Sequence, residues 1–191
     1  MGQLNSNLGL KVIPFFWGFA EAVFFFIVPD VWLTWLAFTG FQKKELGLAV
    51  LWATMGAVLG GILAYSVGLI VPADVLSVWF DLVPGIGPSM VDSVIRMIQQ
   101  SGIWGMFAGI FQGIPYKLFA AFWGTVDGSA GILVVTSILA RSGRFVLTIA
   151  LAKYVDFFGG KIFRRWDAGK PKVFLIFWIT FYIFYFSYYS H

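Results

Sequence analysis

The strongest constraint in this sequence is where its apolar stretches are broken. Apolar residues run from Val12 to Gly40, Leu46 to Ile70, Gly102 to Gly124, Ser129 to Ala152 and Val173 to Tyr189. A helix needs about 20 such residues to cross the hydrocarbon core of a bilayer. Leu46–Ile70 meets that requirement cleanly. Val12–Gly40 is too long for one simple span and is interrupted by Glu21, Pro29 and Asp30. Gly102–Gly124 is interrupted at Gly113-Ile114-Pro115, with Gln112 and Lys117 flanking the break. Proline removes a backbone donor and disfavours helical backbone at the residue before it. Each broken stretch therefore predicts two half-helices meeting at the break as a re-entrant hairpin. Backbone of that kind is tolerated at membrane depth only when buried in protein or lining water.

Composition supports a membrane location. Hydrophobic residues make up 60% of the chain and charged residues 12%, against roughly 45–50% and 25% in a soluble domain. So few charges cannot cover the surface of a soluble globule, and so much apolar content excludes disorder. The absence of cysteine and the single, terminal His191 argue against thiolate chemistry, a Ser-His dyad and a His-based metal site. No cofactor or metal is expected. The net charge of +4 comes without a basic run interleaved with aromatics, so no nucleic acid partner is expected. The N-terminus carries no pattern of a cleavable signal. Trp17, Trp32 and Trp35 are most simply interfacial anchors.

Charge placement sets the orientation. The positive-inside rule puts Lys43 and Lys44, and a basic loop over 153–172 with Lys153, Lys161, Arg164, Arg165, Lys170 and Lys172, in the cytoplasm. Leu46–Ile70 then exits, leaving 71–101, with Asp74, Asp81, Asp92 and Arg96, as an acidic outer loop. Pro84-Gly85-Ile86-Gly87-Pro88 turns that loop, and Ser89–Gln100 predicts a short amphipathic helix. Parity holds only if 102–124 re-enters from outside, so that Ser129–Ala152 returns inward to the basic loop and 173–189 forms a last span. The expected fold is thus one all-α, polytopic membrane domain. Half-repeats at about 12–70 and 102–152 each carry a hairpin and a spanning helix, in opposite orientations. Paired interrupted segments of this kind point to a transport site near the midplane. Gly56, Gly60, Ala64 and Gly68 share one face of the first spanning helix, which suits close helix contact.

Five charges lie in apolar segments: Glu21, Asp30, Lys117, Arg141 and Arg144. An intramembrane charge costs at least about 2.5–3.5 kcal/mol on insertion scales, so such residues face one another or a wet cavity. Two carboxylates against three cations leave a net charge of +1. Half-helix N-termini add partial positive charge, and arginine is the preferred forked ligand for phosphate. The cluster therefore predicts an anion site in which Lys117, Arg141, Arg144 and Gln112 bind substrate. Glu21 and Asp30 are the candidates for proton coupling, and Pro29, Gly113 and Pro115 form the hairpin breaks. An enzyme is not expected. Asp127-Gly128-Ser129-Ala130-Gly131 lacks the first glycine of the nucleophile elbow and any base for it, and no facing pair of intramembrane aspartates is evident.

At these residues the chain resembles the DedA family of SNARE-associated, or VTT-domain, membrane proteins, in its short branch. Phe19-Ala20-Glu21 through Ile27-Val28-Pro29-Asp30 is similar to the family's acidic first hairpin. Gly56, Gly60, Tyr65 and Gly68 are similar to its glycine-tyrosine helix. Gly113-Ile114-Pro115-Tyr116-Lys117-Leu118-Phe119 resembles the second hairpin, and Ala140-Arg141-Ser142-Gly143-Arg144-Phe145 the Arg-Gly-x-Arg-Phe motif. Where many members carry Arg-x-x-Pro-x-x-Arg, this chain has Gln112, Pro115 and Lys117. The resemblance covers roughly residues 12–160. It implies facing re-entrant hairpins, a bacterial cytoplasmic membrane location, and movement of a phospholipid or polyprenyl-phosphate lipid between leaflets, often dependent on proton motive force. The expected partners are membrane lipids, an anionic head group or phosphate, and protons, with a homo-oligomer left open. The alternatives are a proton-coupled transporter of a small ion or solute, and a non-transporting membrane scaffold.

Overall fold

A computed structural model of the chain describes residues 8–23, 27–165 and 169–189. Among them there is no strand. After a π-helical turn at Leu8–Val12 come α1 (Ile13–Val23), α2 (Asp30–Phe38) and α3 (Lys43–Ile70). Then follow α4 (Ala73–Asp81), α5 (Pro88–Ser101), a 3-10 turn at Gly102–Trp104, α6 (Gly105–Phe111) and α7 (Tyr116–Thr125). The long α8 (Ala130–Arg165) and α9 (Gly169–Tyr189) complete the chain. By length and composition, α3 and the Ala130–Phe158 part of α8 are the two described helices able to cross a membrane. Both turn large apolar side chains outward, such as Leu51, Leu59 and Leu63 on α3 and Leu139, Val146 and Leu147 on α8. This fits a helical membrane protein, with candidate spanning helices at two of the three places where the sequence expects them. In α9 the described apolar stretch, Phe174–Ser187, is shorter.

Both breaks fall where proline and glycine require them. Pro29 precedes α2 with a φ of −57°, an angle its ring fixes, and it has no N–H to leave unpaired. Trp17 Nε1 donates to the Ile27 carbonyl at 2.6 Å and Trp32 Nε1 to that of Gly9 at 2.8 Å, so the chain reverses between α1 and α2. These two tryptophans are ties within the first helix pair, a role that interfacial anchoring did not foresee. At the second break the Gln112 and Ile114 amides both donate to the Gly109 carbonyl at 3.0 Å. Gly113 takes a φ of +72°, which L side chains avoid. Pro115 then opens α7, and the Phe119 ring packs over Gly109 so closely that a side chain there would strike it.

The helix α3 is the central post. Its glycines serve two partners, not the single one expected. Gly56 and Gly60 meet the backbone of α1 at Phe15 and Phe19, while Gly61 faces the Tyr116 hydroxyl and Gly68 the Ala121 carbonyl of α7. The second arms of the helix pairs are exchanged, since α2 packs on α8 and α7 on α3. The first arms are not equivalent. The eleven-residue α1 lies along the length of α3, whereas the seven-residue α6 packs most against α5 and only touches α7 and α8. The halves therefore match in element order but not in packing.

Two expected loops are helical. Residues 71–101 fold into α4 and α5, and α5 buries Met90, Val91, Val94 and Ile98 while exposing Ser89, Asp92 and Arg96. That is the amphipathic helix read from 89–100. The basic segment after Ala152 continues α8 to Arg165. A run of charge looks like a loop in sequence, yet it sustains a helix once the helix leaves the apolar layer. The side chains of Lys161, Arg164, Arg165, Lys170 and Lys172 lie outside the described residues. Lys153 Nζ donates to the Phe41 carbonyl at 3.3 Å, so both basic links, with Lys43 and Lys44, meet at one end of the molecule.

The glycine contacts give a direct test. Gly56→Ala and Gly68→Ala each place a methyl group on a facing carbonyl, and overpacking of this kind costs about 1–3 kcal/mol. Gly47 in the same helix has open space around it, so Gly47→Ala is expected to stabilise by about 0.5–1 kcal/mol through helix propensity. Thermal unfolding in detergent micelles should show a lowered midpoint for the first two variants and an equal or raised one for the third.

Candidate functional site

Four of the five charges in the apolar segments form two ion pairs. Glu21, in the last turn of α1, forms an ion pair with Arg141 of α8, and both side chains are buried. Asp30, the first residue of α2, forms an ion pair with Arg144, one turn further along α8. Thr148, the next turn, donates its hydroxyl to the second Asp30 oxygen at 2.6 Å. Positions 141, 144 and 148 share one face of α8 at i, i+3 and i+7, so a single helix face holds both carboxylates of the first half. Thr34 Oγ1 donates to the Asp30 carbonyl at 2.6 Å and fills the first turn of α2.

Arg141 is enclosed. Its guanidinium lies over the Tyr116 ring at 4.8 Å and the Phe145 ring at 5.4 Å from their centroids. Tyr116 in turn shares a 2.6 Å hydrogen bond with Ser137 and meets Gly61 of α3. The pair Glu21–Arg141 is thus wedged among α1, α3, α7 and α8. In this setting neither charge tolerates loss of its partner, because desolvation of a lone ion is not offset.

A cavity of about 1140 Å³ opens beside these pairs. Glu21, Asp30, Lys117, Arg144 and Thr148 line it, with Gln112, Gly113 and Pro115 of the second break. Of the sequence-predicted substrate ligands, Lys117, Arg144 and Gln112 line the cavity. Arg141 takes no part in the wall, because Glu21 and the rings of Tyr116 and Phe145 stand around it. Pro29 shapes the first break without lining the cavity. Lys117 is buried at the start of α7, and Arg144 keeps 23% of its side chain exposed, enough to reach a ligand while it holds Asp30. Among the described residues no cluster of three His, Cys, Asp or Glu could hold a metal ion.

The rest of the lining is apolar and aromatic: Phe177, Trp178 and Phe181 of α9, with Phe38, Leu151 and Val155 further along the faces of α2 and α8 that carry Asp30 and Arg144. Phe177, Phe181, Leu151 and Val155 are also exposed, so the apolar part of the lining is not sealed inside the body. The sequence reading missed Thr148 and the α9 wall. Thr148 was detectable, one turn past Arg144 on the same face. The α9 residues were not, since aromatic residues occupy every side of that helix.

No family model matches the chain, and no solved structure matches it. A Haemophilus influenzae protein described as an uncharacterized protein is similar to it, 28% identical over 142 residues, 73% of this chain and 70% of the relative.

Separating the ion pair tests its structural role. Glu21→Gln and Arg141→Met, made singly, each strand a buried charge, which costs about 3–5 kcal/mol. The double variant removes both charges and is expected to recover most of that loss in thermal unfolding. Additive losses would show that the two side chains do not act as a pair.

Proposed function

We propose that the protein is a membrane transporter that moves a lipid with an anionic, phosphate-type head group between leaflets. The observation that carries this reading is the mixed lining of the cavity. It joins charges from both halves to a broad aromatic and aliphatic surface on α9 and α8 that stays partly exposed. A lipid needs both, a polar site for the head group and an apolar path for the chains. A small hydrophilic solute needs a closed polar vestibule, which exposed Phe177 and Leu151 do not make.

In this reading the two helix pairs are re-entrant hairpins of an inverted repeat in a bacterial cytoplasmic membrane, as the DedA resemblance implies. Lys43, Lys44 and Lys153 face the cytoplasm, and α4 and α5 face the opposite side. Lys117 and Arg144 hold the head group, with Gln112 as a neutral hydrogen-bonding neighbour. The surplus of one positive charge in the cluster favours an anion. Of the two candidates for proton coupling, Asp30 fits, because its partner Arg144 is open to the cavity, whereas Glu21 is committed to the enclosed Arg141. Protonating Asp30 weakens its hold on Arg144, which then turns its guanidinium to the head group. The competing reading, a scaffold held by static pairs, draws on the same ion pairs but leaves the cavity and its aromatic wall without a role.

Reconstitution into liposomes tests the proposal. Loss of a charge-assisted contact is worth about 1.5–3 kcal/mol, so Arg144→Ala and Lys117→Met should each slow the movement of a fluorescent phospholipid by roughly tenfold or more. Wild-type rates in both variants would remove these residues from head-group binding. Absence of lipid movement above protein-free liposomes in the wild-type protein would remove the function itself.

A further inference from the structure

The helix α9 belongs to neither hydrophobic cluster of the described residues, yet it closes one side of the cavity with Phe177, Trp178, Phe181, Tyr182 and Tyr185. Its other faces are exposed, as at Ile176, Ile179 and Ile183. It is fastened at separate points. Near its start the Phe174 ring meets those of Trp35 at 5.4 Å and Phe38 at 6.5 Å. Two turns later the Tyr182 hydroxyl oxygen accepts a hydrogen bond from the Val28 N–H at 2.9 Å, on the first break. The single Tyr185 hydroxyl proton is shared between the carbonyls of Gly113 at 3.4 Å, on the second break, and Gly85 at 3.5 Å, in the turn before α5. Gly85 has a φ of +80° and forms a seat for this end, where an added Cβ would stand 3.2 Å from the rings of both Tyr185 and Phe186.

Tyr182 and Tyr185 are three residues apart and share a helix face. They grip backbone atoms of both breaks, which interrupted helices leave without helical partners. Phe174 and Trp178 are the buried side chains of α9, and beyond Trp178 its cavity face is held by hydroxyl contacts, so that end can separate from the body while the Phe174 end stays packed. We propose that α9 is a lateral gate of the cavity, latched by the Tyr182 hydroxyl on the Val28 N–H and seated by Tyr185 on the second break. This rests on the reading of the cavity as a lipid site. Opening leaves the Val28 N–H at the cavity wall, where a ligand oxygen replaces the phenol, so ligand entry and gate release are linked.

The chain has no cysteine, so spin labels can be placed at introduced ones without background. Leu82→Cys, at the end of α4, and Ile183→Cys, on α9, are both well exposed. Their distance distribution, measured by pulsed electron resonance in phospholipid vesicles, reports the gate. Tyr182→Phe keeps the ring stacked on Trp178 and Phe186 and removes only the latch. It is expected to raise a second, longer-distance population several-fold, and Tyr182→Phe with Tyr185→Phe to raise it further. A control pair at Leu82→Cys and Val135→Cys, away from α9, should stay unchanged and so report an intact fold. An unchanged Leu82–Ile183 distribution in both the single and double variants overturns the gate. Lipid movement measured in the same vesicles separates the two ideas. A shifted distribution with no lipid movement in any variant upholds the gate and sinks the lipid-transport reading. Lipid movement with an unshifted distribution does the reverse.

Discussion

The buried ion pair between Glu21 and Arg141 is the interaction on which the rest depends. Arg141 is 1% exposed, and a guanidinium so placed persists only beside an opposite charge. That requirement ties the end of α1 to the middle of α8, two elements far apart in sequence. Once they are tied, α3 is trapped between α1 and α7, and the glycines along α3 let the backbones approach closely enough to close the contact. The Arg141 guanidinium also rests on Tyr116 and Phe145, so one charge organises three helices. The second pair, Asp30 with Arg144, repeats the device one turn along α8, but with the arginine still partly open to the cavity. Two pairs of the same chemistry thus divide into a closed structural one and an open one suited to a ligand.

The cavity follows from the breaks. A continuous helix hides its polar backbone, whereas a broken one presents unpaired amides and carbonyls at the break. Here both breaks face the same space, so polar backbone, Lys117 and the open ion pair share one wall. Such a wall is costly against lipid and needs cover. The cover is α9, whose tyrosines end on those same backbone atoms and whose phenylalanines continue the apolar exterior. Polar interior, apolar flank and a lightly held covering helix are parts of one arrangement.

Much of this was legible in the sequence because its causes are local. Pro29, Gly113 and Pro115 fix the breaks through their own backbone geometry, and the candidate spans in α3 and α8 announce themselves by apolar length. The five charges stood out because charge is rare in such segments. What the sequence did not disclose depends on distant packing. Arg141 and Arg144 share a helix face, and only the position of Glu21 decides that one is enclosed and the other reaches the cavity. The exchange of α2 and α7 between the halves has no local signature either. Tyr182 and Tyr185 lie in a helix that is apolar and aromatic on all sides, where periodicity carries no information. The continuation of α8 to Arg165 has no apolar signature, because a charged segment reads equally well as a loop or as a solvated helix.

The central claim is that a lipid head group enters the cavity between the two breaks while its chains pass the aromatic wall. Photo-crosslinking tests this most directly. A phospholipid carrying a photoactivatable group near its phosphate is incorporated into vesicles with the protein, and adducts are mapped by mass spectrometry. Adducts at Lys117, Thr148 and the α9 wall around Trp178, reduced by excess unlabelled lipid of the same head group, are the result expected. Adducts confined to the outer faces of α3 and α8, around Leu59 and Leu147, and insensitive to competitor, would contradict it.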